Sequence, residues 1–117
     1  MKKKKNVQPT TLSILVKARN LIAKKGWTQK AFARNKYGHG VDPLSPGACK
    51  FCVEGALIAA GVRGLPSFSG AYRKLALTLH TRSFATHLAF FNDELPRGSK
   101  GKAEILKLFD DCISELK

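Results

Sequence analysis

The sequence predicts an all-α fold, a single compact domain of five or six helices with an ordered Gly/Pro loop at about residues 35–45. Its length of 117 residues is that of one domain. Apolar residues recur at three- and four-residue spacings along most of the chain, and no segment alternates apolar and polar residues as a half-buried strand does. We expect residues 1–9 to form a disordered basic arm and residues 10–117 to form a single helical domain.

The first predicted helix follows Thr10 or Thr11, either of which can act as its N-cap. Gly26 is expected to end it, after Lys24 and Lys25, because cations suit the C-terminal end of a helix dipole. Its apolar face is formed by Leu12, Leu15, Ala18, Leu21 and Ile22.

The middle of the chain is predicted to hold two helices separated by a loop. Thr28 can cap a short second helix. Residues 35–45 contain two Gly and one Pro, so we expect a loop there, with room for a short extended piece. Ser45 followed by Pro46 is a typical helix start, and the third helix is expected to run from there to Ala60.

Three further helices are predicted in the second half of the chain. The fourth is marked by Ala71, Leu75 and Leu79, and the fifth, which is short, by Phe84, Leu88 and Phe91. The last begins at Ser99 and has the clearest apolar stripe, formed by Ile105, Leu106, Phe109, Cys112, Ile113 and Leu116.

The charge of the chain is strongly positive and uneven. The formal net charge is +13, from 21 Lys and Arg against 8 Asp and Glu. No acidic residue occurs before residue 42. Such an imbalance indicates a polyanionic partner, such as nucleic acid or an anionic membrane surface. The candidate nucleic-acid-binding residues are Lys2, Lys3, Lys4, Lys5, Lys17, Arg19, Lys24, Lys25, Lys30, Arg34 and Lys36.

Compartment and cofactors are suggested by what the sequence lacks. The basic start is not followed by a continuous apolar region like that of a signal peptide, and no run approaches the roughly 20 apolar residues of a membrane span. Three cysteines are an odd number for a secreted disulfide scaffold. We therefore expect a soluble, cytoplasmic protein with reduced thiols, no membrane span, no metal and no cofactor.

The C-x-x-C pair of Cys49 and Cys52 has four interpretations. A structural zinc site needs a second ligand pair at suitable spacing, and a thioredoxin-like site needs a preceding strand; the sequence shows neither. A cysteine nucleophile is offered by Cys52 with His87 as base, Asn92 as orienting group and Gln29 as oxyanion donor. The favoured interpretation is packing, because every residue on one helical face is small. That face is formed by Cys52, Gly55, Ala56 and Ala59.

Asn92 and Asp93 follow an apolar helix and have two interpretations. Both side chains can bond to nearby backbone, so a helix C-cap and turn is the favoured one. The alternative is a polar contact in a pocket. Trp27, after Gly26, is expected to be a core anchor at a helix junction.

Residues 21–33, LIAKKGWTQKAFA, resemble the opening of repressor-type helix-turn-helix domains. In that family the next element is the recognition helix, which enters the major groove. Here residues 35–40, NKYGHG, cannot form such a helix.

A second resemblance covers most of the chain and is to an uncharacterised family of small bacterial and phage proteins. It is carried by GWTQ at 26–29, FAR at 32–34, VDP at 41–43, FCVEGAL at 51–57 and FND at 91–93, followed by an amphipathic helix. The family's usual W-C-x-x-G-A-L and W-N-D thus begin with Phe here, and this chain is more basic than the family in general. The resemblance implies a single domain and no particular activity.

We therefore expect a small, basic, non-enzymatic binding protein that contacts nucleic acid mainly through phosphate, with little sequence specificity. The first alternative is an accessory protein of phage or prophage type that docks on an acidic protein partner. The second alternative is a thiol-dependent hydrolase centred on Cys52.

Overall fold

The computed structural model describes residues 10–81 and 87–117. The predicted basic arm with Lys2, Lys3, Lys4 and Lys5, and Phe84 of the predicted fifth helix, lie outside the described residues. Helices dominate the described parts, as predicted, but three short strands correct the all-α prediction. In chain order the elements are α1 (Thr11–Lys24), β1 (Ala33–Arg34), β2 (Gly40–Val41), β3 (Lys50–Phe51), α2 (Val53–Ala60), α3 (Pro66–His80), α4 (Leu88–Glu94) and α5 (Ser99–Leu116).

The three strands form one small antiparallel sheet in the order β2-β1-β3. In the central strand, Ala33 lies opposite Val41 on one side and opposite Phe51 on the other. Strands of two residues are too short to show an alternating pattern in the sequence, so periodicity could not reveal them.

Helix α1 begins as predicted, with Thr10 as its N-cap. The Thr10 hydroxyl accepts from the Ser13 N–H at 3.0 Å, and the Ser13 hydroxyl accepts from the Thr10 N–H at 2.9 Å, a reciprocal capping box. The helix ends at Lys24, two residues before Gly26. It packs against α2, α3 and α5 through a buried face formed by Ile14, Leu15, Ala18 and Ile22.

The predicted second helix after Thr28 is wrong. Residues 29–32 form bends that lead into β1, and Lys30 has a φ of +65°, which no right-handed helix contains. The Lys30 N–H donates to Asp93 Oδ1 at 2.8 Å instead of to a helical carbonyl. The segment that resembles a helix-turn-helix therefore holds one helix, not two.

The predicted start of the third helix at Ser45 and Pro46 is also wrong, because α2 begins at Val53. Ser45 closes turns instead: its N–H donates to Asp42 O at 2.9 Å, and its carbonyl accepts from the Ala48 N–H at 3.1 Å. Residues 50–51 then pair with β1. A Ser-Pro pair can stabilise a turn as well as the start of a helix. Here it lies in a turn, because residues 50–51 pair with β1 and a helix from Ser45 could not include them.

Gly55, in the first turn of α2, lies against the backbone of the residue that precedes β1. A Cβ added to Gly55 would collide with the carbonyl oxygen of Phe32, the residue that enters β1. The same oxygen accepts from the Cys52 N–H at 3.1 Å. Glycine at position 55 thus allows the chain leading into the sheet to approach the helix closely.

The C-terminal helix confirms its predicted stripe in most positions. Ile105, Phe109, Cys112 and Ile113 are buried, whereas Leu116 is exposed and Leu108 is buried in addition to the predicted set. No helix within residues 10–81 and 87–117 has the length and hydropathy needed to cross a membrane.

Candidate functional site: a basic cavity beside a buried asparagine

Asn92 joins three distant parts of the chain. Its side chain is 1% exposed. Its Oδ1 accepts from Trp27 Nε1 at 2.8 Å and from the Val53 N–H at 3.1 Å. Its Nδ2 donates to Thr28 O at 3.1 Å and to Asp93 Oδ1 at 3.0 Å. These four bonds use the full capacity of a carboxamide, two accepted and two donated.

The favoured interpretation of Asn92 and Asp93 as a C-cap and turn is therefore corrected. Asn92 lies inside α4, and α4 continues to Glu94. The bonds of Asn92 reach residues 39 to 65 positions away in the sequence, apart from the bond to its neighbour. Such bonds leave no trace in the local sequence pattern.

Gln29 also joins the segment around Trp27 to the end of α4. Its Nε2 donates to Asn92 O at 2.9 Å and to Leu95 O at 2.8 Å, which closes the turn after α4. Both hydrogens of the amide nitrogen are thus engaged, and Gln29 has none left to donate to an oxyanion.

Trp27 is held from two sides. Its indole N–H is bound by Asn92, and its six-membered ring lies against Gly101 of α5, where an added Cβ would overlap the ring carbons. Gly101 is buried, so no solvent separates the two. The expectation that Trp27 anchors a helix junction agrees with these contacts.

Cys52 is the N-cap of α2, where its Sγ accepts from the Gly55 N–H at 3.3 Å. Burial raises the pKa of the Cys52 thiol to about 11 and outweighs the hydrogen bond from the Gly55 N–H, which lowers it. The thiol is therefore protonated at neutral pH.

The alternative catalytic residues do not form a connected set in the described parts of the chain. His87 is exposed at the start of α4 and packs its ring edge-on against Phe90, with a centroid separation of 5.7 Å. No hydrogen bond joins His87 to Cys52 among the described residues, and Asn92 is fully engaged elsewhere. The hydrolase alternative receives no support from this geometry. Residues 10–81 and 87–117 also hold no group of three or more His, Cys, Asp or Glu residues placed to bind a metal ion.

The seven predicted nucleic-acid-binding residues that the structure describes fall into separate places. Lys17, Lys24 and Lys25 lie exposed along one groove on α1. Arg19 is bound to a carboxylate of α5. Lys36 extends over the ring of the following tyrosine, with 5.3 Å between Nζ and the ring centroid.

Lys30 and Arg34, the remaining two, meet at a cavity of about 590 Å³. Lys50 of β3 and Arg97 of the α4–α5 connection line the same cavity. Sequence reasoning missed these two, because each is an isolated cation with no basic neighbour and only the fold brings it to residues 30 and 34. Asp93 is the one carboxylate in the lining. The other lining residues are Trp27, Thr28, Gln29, Leu95 and Gly98.

Arg34 is held rigidly in the cavity wall. Its Nε donates to Thr28 Oγ1 at 2.8 Å, its Nη1 to Gly38 O at 2.9 Å and its Nη2 to Gln29 O at 3.1 Å. All three acceptors are neutral, so the guanidinium is oriented but its charge is not compensated by a carboxylate.

Two backbone features border the cavity. Lys30 is the only residue other than glycine with positive φ in the described parts of the chain, and its N–H is held by Asp93. Strained backbone of this kind is concentrated at functional sites. Gly98, with a φ of +84°, is the N-cap of α5, whose N-terminus no side chain caps. The partial positive charge of that terminus adds to the charge of the side chains.

The three segments GWTQ, FCVEGAL and FND, which carried the family resemblance, meet around Asn92 through these bonds. No curated protein and no solved structure is significantly similar to the chain. A family model does match, over residues 6–115. The expected membership of an uncharacterised family is thus confirmed, and the chain belongs to DUF6197, a family of unknown function.

Proposed function

We propose that the protein binds nucleic acid through the phosphate backbone, with little sequence preference. The observation that carries this proposal is the lack of a carboxylate partner for six of the seven predicted contact residues that the structure describes. Of the seven predicted contact residues in the described parts, Arg19 alone forms an ion pair, with Asp110 at 2.9 Å. The others hold charge that phosphate groups can neutralise.

The separation of opposite charges supports the same proposal. Four of the eight acidic residues lie on α5. Three of those four form ion pairs, with Arg19, Lys74 and Lys107. Acidic side chains of α5 therefore neutralise Arg19, Lys74 and Lys107, and no such pair is formed by the other described bases of α1 or by those of the β1 region.

Phosphate contact favours binding without base recognition. In the described residues the element that follows α1 is a strand, not the recognition helix of a helix-turn-helix domain, and the cations lie on different elements. Contacts of that kind position a protein on the backbone and carry no sequence information directly.

The test is fluorescence anisotropy with duplex and single-stranded oligonucleotides over a range of salt concentrations. We expect binding of similar affinity on unrelated sequences, with a slope of log K against log salt of about −0.9 per neutralised phosphate on duplex DNA. Deletion of residues 2–5 and the combined change Lys24→Gln/Lys25→Gln should each weaken binding and make the slope shallower. Arg63→Gln/Arg73→Gln, which removes two exposed charges elsewhere, is the matched control. Absence of binding at low salt would overturn the proposal.

A second candidate, docking on an acidic protein, is favoured by the groove on α1. This groove has a volume of about 570 Å³ and is mainly apolar. Half-buried Leu12, Val16 and Leu21 form its floor, and Lys17 and Lys24 lie beside them. An amphipathic acidic segment would match both the apolar floor and the basic rim.

Affinity capture with and without nuclease separates the two candidates. Loss of the captured material on nuclease treatment supports nucleic-acid binding. If one acidic protein is captured despite nuclease treatment, and Val16→Asp abolishes its capture, docking in the groove on α1 is supported. A carboxylate at position 16 opposes both the apolar contact and an acidic partner.

A further inference from the structure

We propose that the basic cavity beside Trp27 is a binding site for a phosphate monoester, either a free nucleotide or the terminal 5′-phosphate of a nucleic-acid strand. The proposal deepens the proposed function, and it rests on that function only for the second of these sources. It is argued from the charge, the orientation and the shape of the cavity.

The charge of the lining suits a dianion. Lys30, Arg34, Lys50 and Arg97 contribute four positive charges, and Asp93 contributes one negative charge. Oδ1 of that carboxylate already accepts from the Lys30 N–H and from an amide side chain, so it is turned toward the protein. A phosphate monoester carries about −1.5 to −2 charges at pH 7, more than the single charge of a backbone diester.

The guanidinium of Arg34 is held in one orientation by the protein itself. Three of its five N–H groups are used by neutral oxygens of the surrounding loop, which leaves two to donate to a ligand. A guanidinium held in one orientation loses little entropy on binding and can donate two parallel hydrogen bonds to phosphate.

The shape of the cavity favours a terminal group over a continuous strand. Its walls come from three separate stretches, residues 27–34, Lys50 and residues 93–98. Its volume of about 590 Å³ lies within the range of small-molecule sites. A phosphate within a duplex is flanked by sugar on both sides and needs an open track, whereas a monoester can enter a recess from one side.

The N-cap of α5 lies in the wall of the same cavity. Gly98 lines the cavity and begins a helix of 18 residues that no side chain caps. Backbone N–H groups at such a position bind phosphate in many proteins. Here the N-cap of the helix lines the cavity together with a cluster of side-chain cations.

The first experiment compares AMP with adenosine by isothermal titration calorimetry on the full chain at fixed ionic strength. AMP should bind and adenosine should bind about tenfold more weakly or not at all, since the phosphate supplies the charge-assisted bonds. Lys50→Gln/Arg97→Gln should lower AMP affinity about tenfold or more, because the change removes two of the four positive charges in the lining, both on exposed residues. Arg63→Gln/Arg73→Gln should change it by less than about twofold. Equal binding of AMP and adenosine, no AMP binding, or an equal loss in both double variants would overturn the proposal.

The second experiment separates the two sources of phosphate and the two proposals. If a 5′-phosphorylated oligonucleotide binds more tightly than its 5′-hydroxyl counterpart, the ligand is the end of a strand. If the two oligonucleotides bind with equal affinity and AMP binds in the first experiment, the ligand is a free nucleotide. Salt-dependent binding of the 5′-hydroxyl strand without any AMP binding would overturn the cavity proposal and leave the proposed function standing. AMP binding with no oligonucleotide bound at low salt would support the cavity and overturn the proposed function.

Discussion

Replacing Asn92 by Ala should destabilise the protein strongly, because this side chain is the shared partner of groups from three segments. The change removes the acceptor of Trp27 Nε1 and of the Val53 N–H, and the donor to Thr28 O. An isosteric change, Asn92→Asp, keeps both acceptors and loses the donor, and it places a carboxyl beside Asp93.

The magnitude follows from the groups left without partners. A buried polar group that loses its hydrogen bond costs about 1–3 kcal/mol, so three such groups set a range of about 3–9 kcal/mol. Water entering from the adjoining cavity can bond to some of them, and we therefore expect a loss of about 3–5 kcal/mol from the free energy of unfolding. That is a large part of the 5–15 kcal/mol typical of a whole domain. Asn92→Asp should regain part of its stability as the pH is lowered, because burial raises the pKa of the new carboxyl in the folded state and its neutral form is then favoured.

The measurement is guanidinium unfolding followed in parallel by far-ultraviolet circular dichroism and by fluorescence of the single tryptophan. Glu94→Ala, at an exposed position on the same helix, is the control and should stay within about 0.5 kcal/mol of the unaltered protein. If Asn92→Ala lowered the free energy of unfolding by less than about 1 kcal/mol with both signals coincident, the buried network would not have the role assigned to it.

The remaining predictions concern three other positions. Cys52→Ala should lower the free energy of unfolding by roughly 1 kcal/mol, as measured by denaturation, and should leave nucleic-acid binding unchanged in the anisotropy assay. If the variant kept its stability and lost a hydrolytic activity, the packing interpretation would be contradicted. The Cys52 thiol should react slowly with thiol reagents in the folded protein. Its contribution to the free energy of unfolding should be fully present below its ordinary pKa of 9.0 and should be lost as the pH rises through about 11. Gly55→Ala should cost about 3 kcal/mol or prevent folding, because its Cβ meets the Phe32 carbonyl, whereas Gly40→Ala has room and should be nearly neutral. Lys30→Gly should raise the free energy of unfolding by up to about 1 kcal/mol while weakening AMP binding, since glycine accepts positive φ without strain; a clear loss of stability would argue against strain at this residue.

The buried network has a consequence for the cavity. Residues that line the cavity, among them Trp27 and Gln29, are held by bonds to Asn92. A site whose walls are fixed in this way is organised before a ligand arrives, which lowers the cost of binding. Changes at residue 92 should therefore weaken binding as well as stability.

The regular helices were predictable because their causes are local. A capping residue with apolar side chains at three- and four-residue spacing identified α1, and the same spacing identified α5. Local signals are not always sufficient. Ser45 followed by Pro46 is typical of a helix start, but here the pair lies in a turn.

The helical character of the chain, the apolar faces of its first and last helices and the excess of positive charge in its first third can be predicted from the sequence alone. Each of them depends on residue types and short spacings. The small sheet, the position of Cys52 at the start of α2 and the meeting of four cations at one cavity depend on long-range contacts; the four are Lys30, Arg34, Lys50 and Arg97. Residues that are far apart along the chain make these contacts. The bond from Trp27 to Asn92 spans 65 residues, and strands of two residues have no period of their own, so neither leaves a local pattern to read.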